Sequence, residues 1–483
     1  MNDVKKAVMT NWRWVMCAML FFATTVNYMD RQVLSLTFKE FIQPEFHWTD
    51  SDYGTITGVF SIAYAIFCLF AGKFIDWMGT KKGYLWAIII WSLGAVMHAG
   101  CGWVTEQIVG VADKAALLEA TGALVSSISM VSVWLFLACR LILGLGEAGN
   151  FPAAIKVTAE YFPKKDRAFA TALFNAGASV GALAAPATIP LLAKSLGWEW
   201  AFIIIGALGF IWAGIWIFVY DKPTESKHVN EAELAYVQQD DAEVPSDKVP
   251  STKEEKQMSF AEAFKHKQTW SFAFGKFMTD GVWWFFLFWA PAYFQDQFGI
   301  KASDPQGIAL IFTLYAIVTV VSLFGGYLPK IFVEKKGMEP YAGRMRAMLI
   351  FAFFPIFALF AQPLGGVYGP WAVAIIIGIV GAAHQSWSAN IFSTTGDMFP
   401  KSAVATITGI GAMAGGVGSF LINKGSGMLF DHAAQMGEAF KFAGFTGKPA
   451  GYMIIFCICA VAYLIGWSVM KTLVPKYSPV VVK

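Results

Sequence analysis

The chain has 483 residues, of which 57% are hydrophobic and only 14% are charged, and its formal net charge is +3. Typical soluble domains carry about 25% charged residues, so a soluble globule of this size could not hide so much apolar surface. A net charge this small and this dispersed gives no indication of nucleic-acid binding. The composition predicts a membrane protein.

Residues 1–14 carry three cations, but the apolar run that follows is too long for a secretory signal and lacks a small-residue cleavage site. We therefore expect the first helix to insert without being cleaved. The six cysteines fall inside apolar runs and form no CxxC pair. This predicts reduced packing residues rather than a disulfide framework or a metal site.

Apolar runs of about 20 residues, long enough to cross a bilayer as a helix, recur along the chain. In the first half they predict helices over 14–36, 52–77, 83–102, 128–158, 168–193 and 199–220. In the second half they predict helices over 269–297, 305–333, 343–362, 370–396, 403–430 and 450–473. The predicted fold is an all-α membrane protein of twelve transmembrane helices in two pseudo-symmetric bundles. The predicted domains are an N-terminal six-helix bundle (1–220), a linker (221–267) and a C-terminal six-helix bundle (268–483).

Lysine and arginine accumulate at both termini and in alternate short loops, for example at Lys81, Lys82 and Arg167, whereas the opposite loops hold few. The positive-inside rule then places both termini and the linker in the cytoplasm. The linker is dense in charges of both signs and poor in aromatic residues. It is expected to be a solvated connection with room for a surface helix, and a regulatory binding role is the less favoured alternative.

A short repeat relates the two halves. Residues 161–171 (YFPKKDRAFAT) and 398–406 (MFPKSAVAT) share a Phe-Pro-Lys start and an Ala-Thr end. Each opens a glycine-rich helix with small residues four positions apart, a spacing that lets helix backbones approach closely. The glycine pairs are Gly177 with Gly181 and Gly411 with Gly415. Duplicated halves are what alternating access by a transporter requires.

Four ionisable side chains stand out within the predicted membrane helices, where each costs at least about 2.5–3.5 kcal/mol to insert. Asp30 and Arg31 lie in the first helix, and Arg140 and Glu147 in the fourth. The latter two share one helix face, about 10 Å apart along the axis. Neighbouring Asp30 and Arg31 point about 100° apart, so they cannot fully satisfy one another. We expect Asp30 to face Arg140 while Arg31 faces an open cavity with its guanidinium free for an anion.

An arginine in this setting can grip a carboxylate with two parallel hydrogen bonds. When an anion occupies the arginine, a neighbouring buried acid loses its stabilising counter-ion and takes up a proton. This chemistry predicts proton–anion symport. The alternative is a buried charge network that only fixes helix packing, which is disfavoured because buried ion pairs are poor stabilisers.

The second half contributes neutral polar groups to its predicted helices. Those closest together are His384, Gln385, Ser386, Ser388 and Asn390, with Trp387 among them. Amides and hydroxyls suit a polyhydroxylated ligand, and an indole face can stack on a sugar ring, so this helix is predicted to face a ligand. His384 alone could equally be a packing residue. Asp280, Trp283 and Trp284 in the seventh helix are further candidates.

Several motifs carry a family resemblance. Gly72–Lys82 (GKFIDWMGTKK) resembles the cytoplasmic loop signature of the major facilitator superfamily, with Trp77 where an arginine is usual. The segments 27–31 (NYMDR) and 146–152 (GEAGNFP) resemble the anion:cation symporter family within it. The segment 384–390 (HQSWSAN) looks like the hexuronate transporter branch. The resemblance covers nearly the whole chain.

The resemblance implies a major facilitator fold and a bacterial inner-membrane symporter that imports galacturonate or glucuronate with protons. It implies no cofactor beyond the proton gradient, and we expect a monomer whose partners are a sugar acid, protons and the lipid bilayer. The implied substrate contacts are Arg31, Tyr28, Tyr64 and Trp387, to which the polar helix adds His384, Gln385 and Asn390. Asp30 and Glu147 would carry protons with Arg140 as their electrostatic partner, and Asp76, Gly79 and Lys81 of the loop signature would gate the path.

Two alternatives stay open for the substrate and the coupling ion, namely an open-chain sugar acid such as an aldonate or aldarate, and sodium. From a different class, a membrane acyltransferase would use the H-x-x-x-x-D pattern of His47–Asp52. Thr49, Asp50 or Ser51 in that segment is better explained as a helix N-cap. No G-x-x-x-x-G-K-[ST] nucleotide loop occurs in the sequence. We therefore predict that the chain is not an enzyme.

Overall fold

The computed structural model of the protein describes residues 9–239, 258–325 and 327–480. Ten helical segments within them are long and apolar enough to cross a membrane. They are Asp50–Met78, Thr80–Val109, Ala123–Tyr161, Phe169–Leu196, Trp198–Val219, Pro305–Ser322, Pro340–Tyr368, Pro370–Met398, Thr406–Ala439 and Lys448–Leu473. Two further helices, Trp12–Thr37 and Lys267–Phe298, are of spanning length but bury charged side chains.

The first half of the chain is a succession of helices. They are α1 (Trp12–Thr37), α2 (Gln43–Phe46), α3 (Asp50–Met78), α4 (Thr80–Met97), α5 (Cys101–Val109), α6 (Lys114–Leu118), α7 (Ala123–Glu147), α8 (Asn150–Tyr161), α9 (Lys164–Leu196) and α10 (Trp198–Val219). A π-helical turn, Phe38–Ile42, joins α1 to α2.

The described part of the linker holds two short helices, and the second half repeats the long-helix pattern. The elements are α11 (Glu231–Val237), α12 (Phe260–Ala263), α13 (Lys267–Phe298), α14 (Pro305–Gly325), α15 (Leu328–Lys336), α16 (Pro340–Phe353), α17 (Ala361–Tyr368), α18 (Pro370–Met398), α19 (Lys401–Met436), β1 (Lys441–Phe442), β2 (Phe445–Thr446) and α20 (Lys448–Leu473). The two strands pair antiparallel, with Lys441 opposite Thr446.

Four predicted helices are interrupted in the structure. The run over 128–158 divides at Ala148 and Gly149, so that Glu147 is the last residue of α7. The run over 305–333 divides between α14 and α15, and the run over 343–362 passes through a 3-10 turn at Phe354–Phe360 that contains a proline. The run over 83–102 passes through a 3-10 turn at His98–Gly100 and continues beyond its expected end as α5. The other apolar runs are single helices, as predicted.

The sequence repeat starts two helices in the same way. Pro163 precedes α9 with φ −64° and ψ 157°, and Pro400 precedes α19 with φ −63° and ψ 154°. Each proline follows an extended phenylalanine that ends the preceding helix. The two equivalent helix starts agree with the predicted duplication.

Both glycine pairs of the repeat lie at helix contacts. A Cβ atom on Gly177 would lie 2.3 Å from the Phe21 carbonyl oxygen, and one on Gly181 would lie 2.4 Å from that of Thr25. The backbones of α9 and α1 therefore approach as closely as the spacing predicts. In α19, Gly411 makes room for the Phe272 ring of α13.

Replacing Gly177 with alanine is expected to destabilise the protein by about 1–3 kcal/mol, because backbone atoms of α1 and α9 must separate. Thermal unfolding in detergent, followed by the intrinsic fluorescence, measures this loss. Gly214→Ala is the matched control, since nothing lies within 4 Å of a Cβ at that position in α10. An unchanged melting temperature in Gly177→Ala would contradict the close packing.

The first part of the linker is docked onto the first half rather than solvated. Glu233 of α11 is fully buried, accepts hydrogen bonds from the backbone N–H groups of Trp12 (2.9 Å) and Arg13 (3.1 Å), and pairs with Arg13 Nη1 at 3.0 Å. Trp12 also stacks on His228 at 4.1 Å. The expectation of a solvated connection is thus wrong for this part, because the start of α1 has no cap of its own and Glu233 supplies one. The charged run over 240–257 lies outside the described residues.

Glu233 should make stability depend on pH. Burial opposes its charge, but hydrogen bonds from Thr10, Arg13 and Trp12, and the charge of Arg13, hold the pKa of Glu233 below its usual range. Because the folded-state pKa is the lower one, Glu233 stabilises the fold above its unfolded pKa, and this contribution is lost as the pH falls through the folded pKa.

Glu233→Gln is therefore expected to cost about 1–3 kcal/mol at neutral pH and to flatten the decline of the melting temperature in acid. Melting curves between about pH 7 and pH 4 measure both effects. Glu231→Gln changes an exposed carboxylate of the same helix and is the control. Equal pH profiles for wild type and Glu233→Gln would argue against the docked linker.

The start of α3 confirms the helix-cap interpretation of the H-x-x-x-x-D pattern. Thr49 Oγ1 accepts a hydrogen bond from the Asp52 N–H (3.1 Å), and the Asp52 carboxylate accepts one from the Thr49 N–H (2.9 Å). His47 has a left-handed backbone with φ 53° and Nε2 within 2.8 Å of the Leu117 carbonyl oxygen. These residues build a capping box, which satisfies the first N–H groups of the helix.

The beginning of α1, the described parts of the linker and the C-terminal segment lie at one end of the helical bundle, which we call the termini side. Arg13 is bound to the linker through Glu233, and Gln268 at the other end of the linker donates a hydrogen bond to the Ser478 carbonyl oxygen (2.8 Å). The opposite end, where α1 ends and α3 begins, is called the far side. The long helices run between these two sides.

Candidate functional site

A buried ion pair joins α1 to α7 in the interior of the first half. Arg31 donates two hydrogen bonds to Glu147 Oε2, from Nε (3.1 Å) and from Nη2 (2.8 Å). The side chain of Arg31 is 6% exposed and that of Glu147 is fully buried. Glu147 is the last residue of α7, directly before the break between α7 and α8. The expectation of a free guanidinium facing an open cavity is therefore wrong for this conformation, because Glu147 already occupies it.

Three aromatic rings surround the Arg31 guanidinium. Its central carbon lies 4.6 Å from the ring of Tyr64, 5.2 Å from that of Trp284 and 5.5 Å from that of Tyr28. Tyr28 and Tyr64 are thus found beside Arg31, as the family resemblance implies. Trp284 belongs to α13, so the second half of the chain completes the group of three rings around Arg31, which we call the Arg31 pocket. Aromatic faces stabilise a desolvated cation while leaving its donor edge available.

Asp30 and Arg140 are buried nearby without completing their hydrogen bonds. Both oxygens of Asp30, Nη1 of Arg140 and Oε1 of Glu147 lack a hydrogen-bond partner among the described residues. Arg140 interacts electrostatically with Asp30 and with Glu147, and its guanidinium lies 5.4 Å from the Phe60 ring. Asp30 therefore faces Arg140 at longer range rather than in a direct pair. Buried polar atoms without a hydrogen-bond partner destabilise a fold. Their presence here therefore requires an explanation, and a functional role supplies one.

The polar residues of α18 point in different directions. His384 Nδ1 lies 2.7 Å from the Tyr463 hydroxyl, and its ring stacks on Trp283 at 5.4 Å. Trp387 is fully buried, and its ring is nearly perpendicular to that of Tyr463, with the ring centres 5.5 Å apart. Asn390 instead lines a cavity of about 380 Å³ between α15, α16 and α18. Residues this close on a helix turn by 100° each, so one ligand cannot touch them all.

Of this polar set, only His384 is connected to the Arg31 pocket by the contacts described above. It stacks on Trp283, whose sequence neighbour Trp284 lies beside Arg31. Gln385 is half-buried. The roles of Gln385, Trp387 and Asn390 in binding stay predictions.

The three predicted gating residues lie on the termini side. Asp76 pairs with Lys156 (2.7 Å), and Lys81 pairs with Asp221 (2.8 Å). Gly79 separates α3 from α4 with φ 76°, a backbone conformation that favours glycine. Both ion pairs stay within the first half and the start of the linker, and the Trp77 side chain is 81% exposed. A gating role for these residues stays a prediction.

On the far side, four charged residues form a closed ring of ion pairs. Lys39 Nζ lies 3.1 Å from a carboxylate oxygen of Asp50 and 3.1 Å from one of Asp296. Lys448 Nζ contacts the other oxygens of the same two aspartates, at 2.5 Å and 2.6 Å. Tyr452 donates a further hydrogen bond to Asp296 (2.8 Å). Lys39 and Asp50 belong to the first half and the others to the second, so the ring joins the halves.

Further polar contacts between the halves lie on the same side. Asp431 of α19 accepts hydrogen bonds from the N–H groups of Asp50 (2.9 Å) and Ser51 (2.7 Å) at the start of α3. Within the described residues, the hydrogen bonds and ion pairs between the halves connect residues 39–61 with 288–448. These contacts hold the far side closed and leave the termini side without polar links between the halves in the described part of the chain.

The family model for the major facilitator superfamily matches residues 20–422. The chain belongs to the major facilitator superfamily. It is therefore a multi-pass membrane transporter and not an enzyme. This confirms the resemblance seen in the loop signature of Gly72–Lys82.

Curated relatives within the superfamily include sugar-acid transporters. The chain is 27% identical to a hexuronate transporter of Escherichia coli (strain K12) over 465 residues, which is 95% of this chain and 94% of that one. It is 28% identical to a D-galactonate transporter of Escherichia coli O6:H1 over 326 residues, 67% of this chain and 68% of the other.

A solved structure of the same fold is a bacterial homologue of the human lysosomal transporter Spinster in an inward-facing, unoccupied conformation. The TM-score is 0.69 with 18% sequence identity, over 97% of this chain and 99% of that one. At this identity the likeness concerns the all-helical fold alone.

Two features of the site were not predicted from the sequence, namely the contact of Trp284 and the burial of Lys276. Trp284 was a further candidate without an assigned contact, and the structure places it against Arg31. Lys276 received no role, although it is a cation within a predicted membrane helix, and its side chain is only 6% exposed. The signal that identified Arg31, a charge inside an apolar run, is equally present at Lys276.

Proposed function

We propose that this transporter imports hexuronates, galacturonate or glucuronate, together with protons by alternating access. The observation that carries the proposal is the buried Arg31–Glu147 pair, set among three aromatic rings between the halves of the chain. A guanidinium binds a carboxylate through two hydrogen bonds, and aromatic faces beside it suit the C–H face of a sugar. The hexuronate transporter of Escherichia coli, similar along nearly the full length, supports this substrate class.

The arrangement suggests how anion and proton are linked. A substrate carboxylate that binds Arg31 displaces Glu147, which then lies buried without its counter-ion and takes up a proton. When the substrate leaves, Glu147 releases the proton and returns to Arg31. Asp30 and Arg140, which interact with Glu147 electrostatically, would adjust this exchange. Total charge at the site is conserved because one proton enters with each monovalent anion at Glu147.

The membrane arrangement is part of the same proposal. Twelve spans, with α1 and α13 added to the ten most apolar helical segments, would form two six-helix bundles over 1–220 and 268–483. The termini side would face the cytoplasm of a bacterial inner membrane, as the distribution of lysine and arginine predicts. The closed far side, and a termini side without polar links between the halves in the described part of the chain, then correspond to a state that opens toward the cytoplasm.

A second candidate substrate is an aldonate such as galactonate. The similarity to the D-galactonate transporter favours it, since an open-chain sugar acid presents the same carboxylate to Arg31. The test uses purified protein in liposomes with a pH dye inside, to which galacturonate, glucuronate, galactonate or glucose is added outside. Internal acidification with the two uronates is the expected result. Acidification with galactonate alone would move the substrate to the second candidate, and labelled uptake without acidification would overturn proton coupling.

A further inference from the structure

The second half contains its own buried ion pair, which the proposed function does not use. Lys276 Nζ lies 2.7 Å from Asp280 Oδ2, one turn further along α13. The two side chains are 6% and 14% exposed. The lysine ammonium also lies 4.2 Å from the centre of the Phe392 ring of α18. The pair is thus enclosed between two long helices.

The contacts of α13 define which way this pair faces. Phe277 and Gly281 lie against Gly418 of α19. Trp283 stacks on His384 of α18. Asp280 and Trp284 are four residues apart and so lie on one face, between the directions of these two neighbours. That face looks toward the first half, because the Trp284 ring lies beside Arg31 and Tyr64.

The pair lies between the Arg31 pocket and the termini side. Helix α13 starts at the linker, so residues before Trp284 are nearer the termini side. With a rise of 1.5 Å per residue, Asp280 is about 6 Å and Lys276 about 12 Å along the axis from Trp284. A substrate that leaves Arg31 toward the termini side would pass this face of the helix.

A purely structural role explains the pair poorly. A lysine within a membrane helix costs up to about 2.5–3.5 kcal/mol to insert, whereas a pair four residues apart on a helix contributes only a few tenths. Apolar side chains of similar volume would pack α13 as well or better. The fold also keeps space for the carboxylate, because a Cβ on Gly415 of α19 would lie 2.3 Å from Asp280 Oδ2.

We propose that Lys276 is a second binding position for the substrate carboxylate, on the path from Arg31 to the termini side. Asp280 is its counter-ion and neutralises the ammonium when no substrate is present. The incoming carboxylate replaces Asp280 at Nζ, and Asp280, the more exposed of the two, is then hydrated. This inference rests on the proposed function, since it takes the ligand to be a sugar acid.

The decisive variant removes both charges together. Lys276→Gln/Asp280→Asn leaves no unpaired buried charge, so a merely structural pair predicts near-normal transport. We expect instead that galacturonate uptake into liposomes falls about tenfold or more, while the melting temperature is unchanged and calorimetric binding at Arg31 stays within about threefold. Lys330→Gln/Glu334→Gln is the matched control, because it removes an exposed pair of the same spacing in α15. Wild-type uptake rates in the double variant would overturn the proposal.

Asp280→Asn alone provides a second test should the double variant not fold. It leaves Lys276 positive without its counter-ion, so the anion should be held longer, which lowers both KM and kcat about threefold or more. A KM that is unchanged or raised would contradict the proposal. Wild-type liposomes that take up no sugar acid would overturn the proposed function, and this inference with it. Normal wild-type uptake with normal variants would overturn the second position only.

Discussion

Arg31→Ala is expected to reduce uronate uptake by about 100-fold or more, because truncating one partner of a buried charged hydrogen-bonded pair costs about 2–5 kcal/mol. The variant removes both donors that Glu147 accepts from, and with them the group that would bind the substrate carboxylate. Uptake of labelled galacturonate and internal acidification in liposomes measure the loss. Arg346→Ala, which removes an exposed arginine of α16, is the control.

Loss of uptake in Arg31→Ala could also arise from misfolding, since Glu147 would remain buried and unpaired. Arg31→Gln/Glu147→Gln separates the two causes, because its neutral amides can still hydrogen-bond across α1 and α7. We expect this double variant to melt close to wild type and to show neither acidification nor uptake. Substantial uronate transport by the double variant would mean that Arg31 does not bind the substrate.

The ion-pair ring on the far side should have the second large effect. Asp50→Asn/Asp296→Asn leaves Lys39 and Lys448 facing one another without a counter-ion, in surroundings where all four side chains are at most 17% exposed. Breaking a buried pair costs about 3–5 kcal/mol, so the closed far side should lose roughly 100-fold or more in population relative to the open one.

Spin labels at Asp113 and Lys301, exposed far-side loop positions of the first and second half, measure this opening by pulsed electron resonance. The distance distribution is expected to shift to longer values in the double variant. Glu438→Gln removes an exposed far-side carboxylate outside the ring and should leave the distribution unchanged. An unchanged distribution in the ring variant would show that other contacts, such as those of Asp431, are sufficient to hold the far side closed.

The positions of the long helices, and the charges that interrupt them, were predictable from the amino-acid sequence. A helix satisfies all its backbone hydrogen bonds locally, so an apolar run of spanning length can only become a helix in a bilayer. This is why nearly all predicted runs, including the charge-bearing α1 and α13, are found as helices. The Phe-Pro pair that precedes both α9 and α19 likewise indicated where these helices begin, because proline fixes its own φ.

The pairing of the buried charges, in contrast, depends on how the helices pack and could not be predicted from the sequence. Sequence spacing gives the direction of a side chain on its own helix, but not the rotation and depth of the neighbouring helix. The sequence predicted that Asp30 faces Arg140 and that the Arg31 guanidinium is free, whereas in the structure Glu147 of α7 pairs with Arg31. The ring of Lys39, Asp50, Asp296 and Lys448 joins residues up to 409 positions apart, and no local pattern could predict it. Long-range ion pairs follow from helix packing, because each residue's charge specifies a partner's sign but not its position.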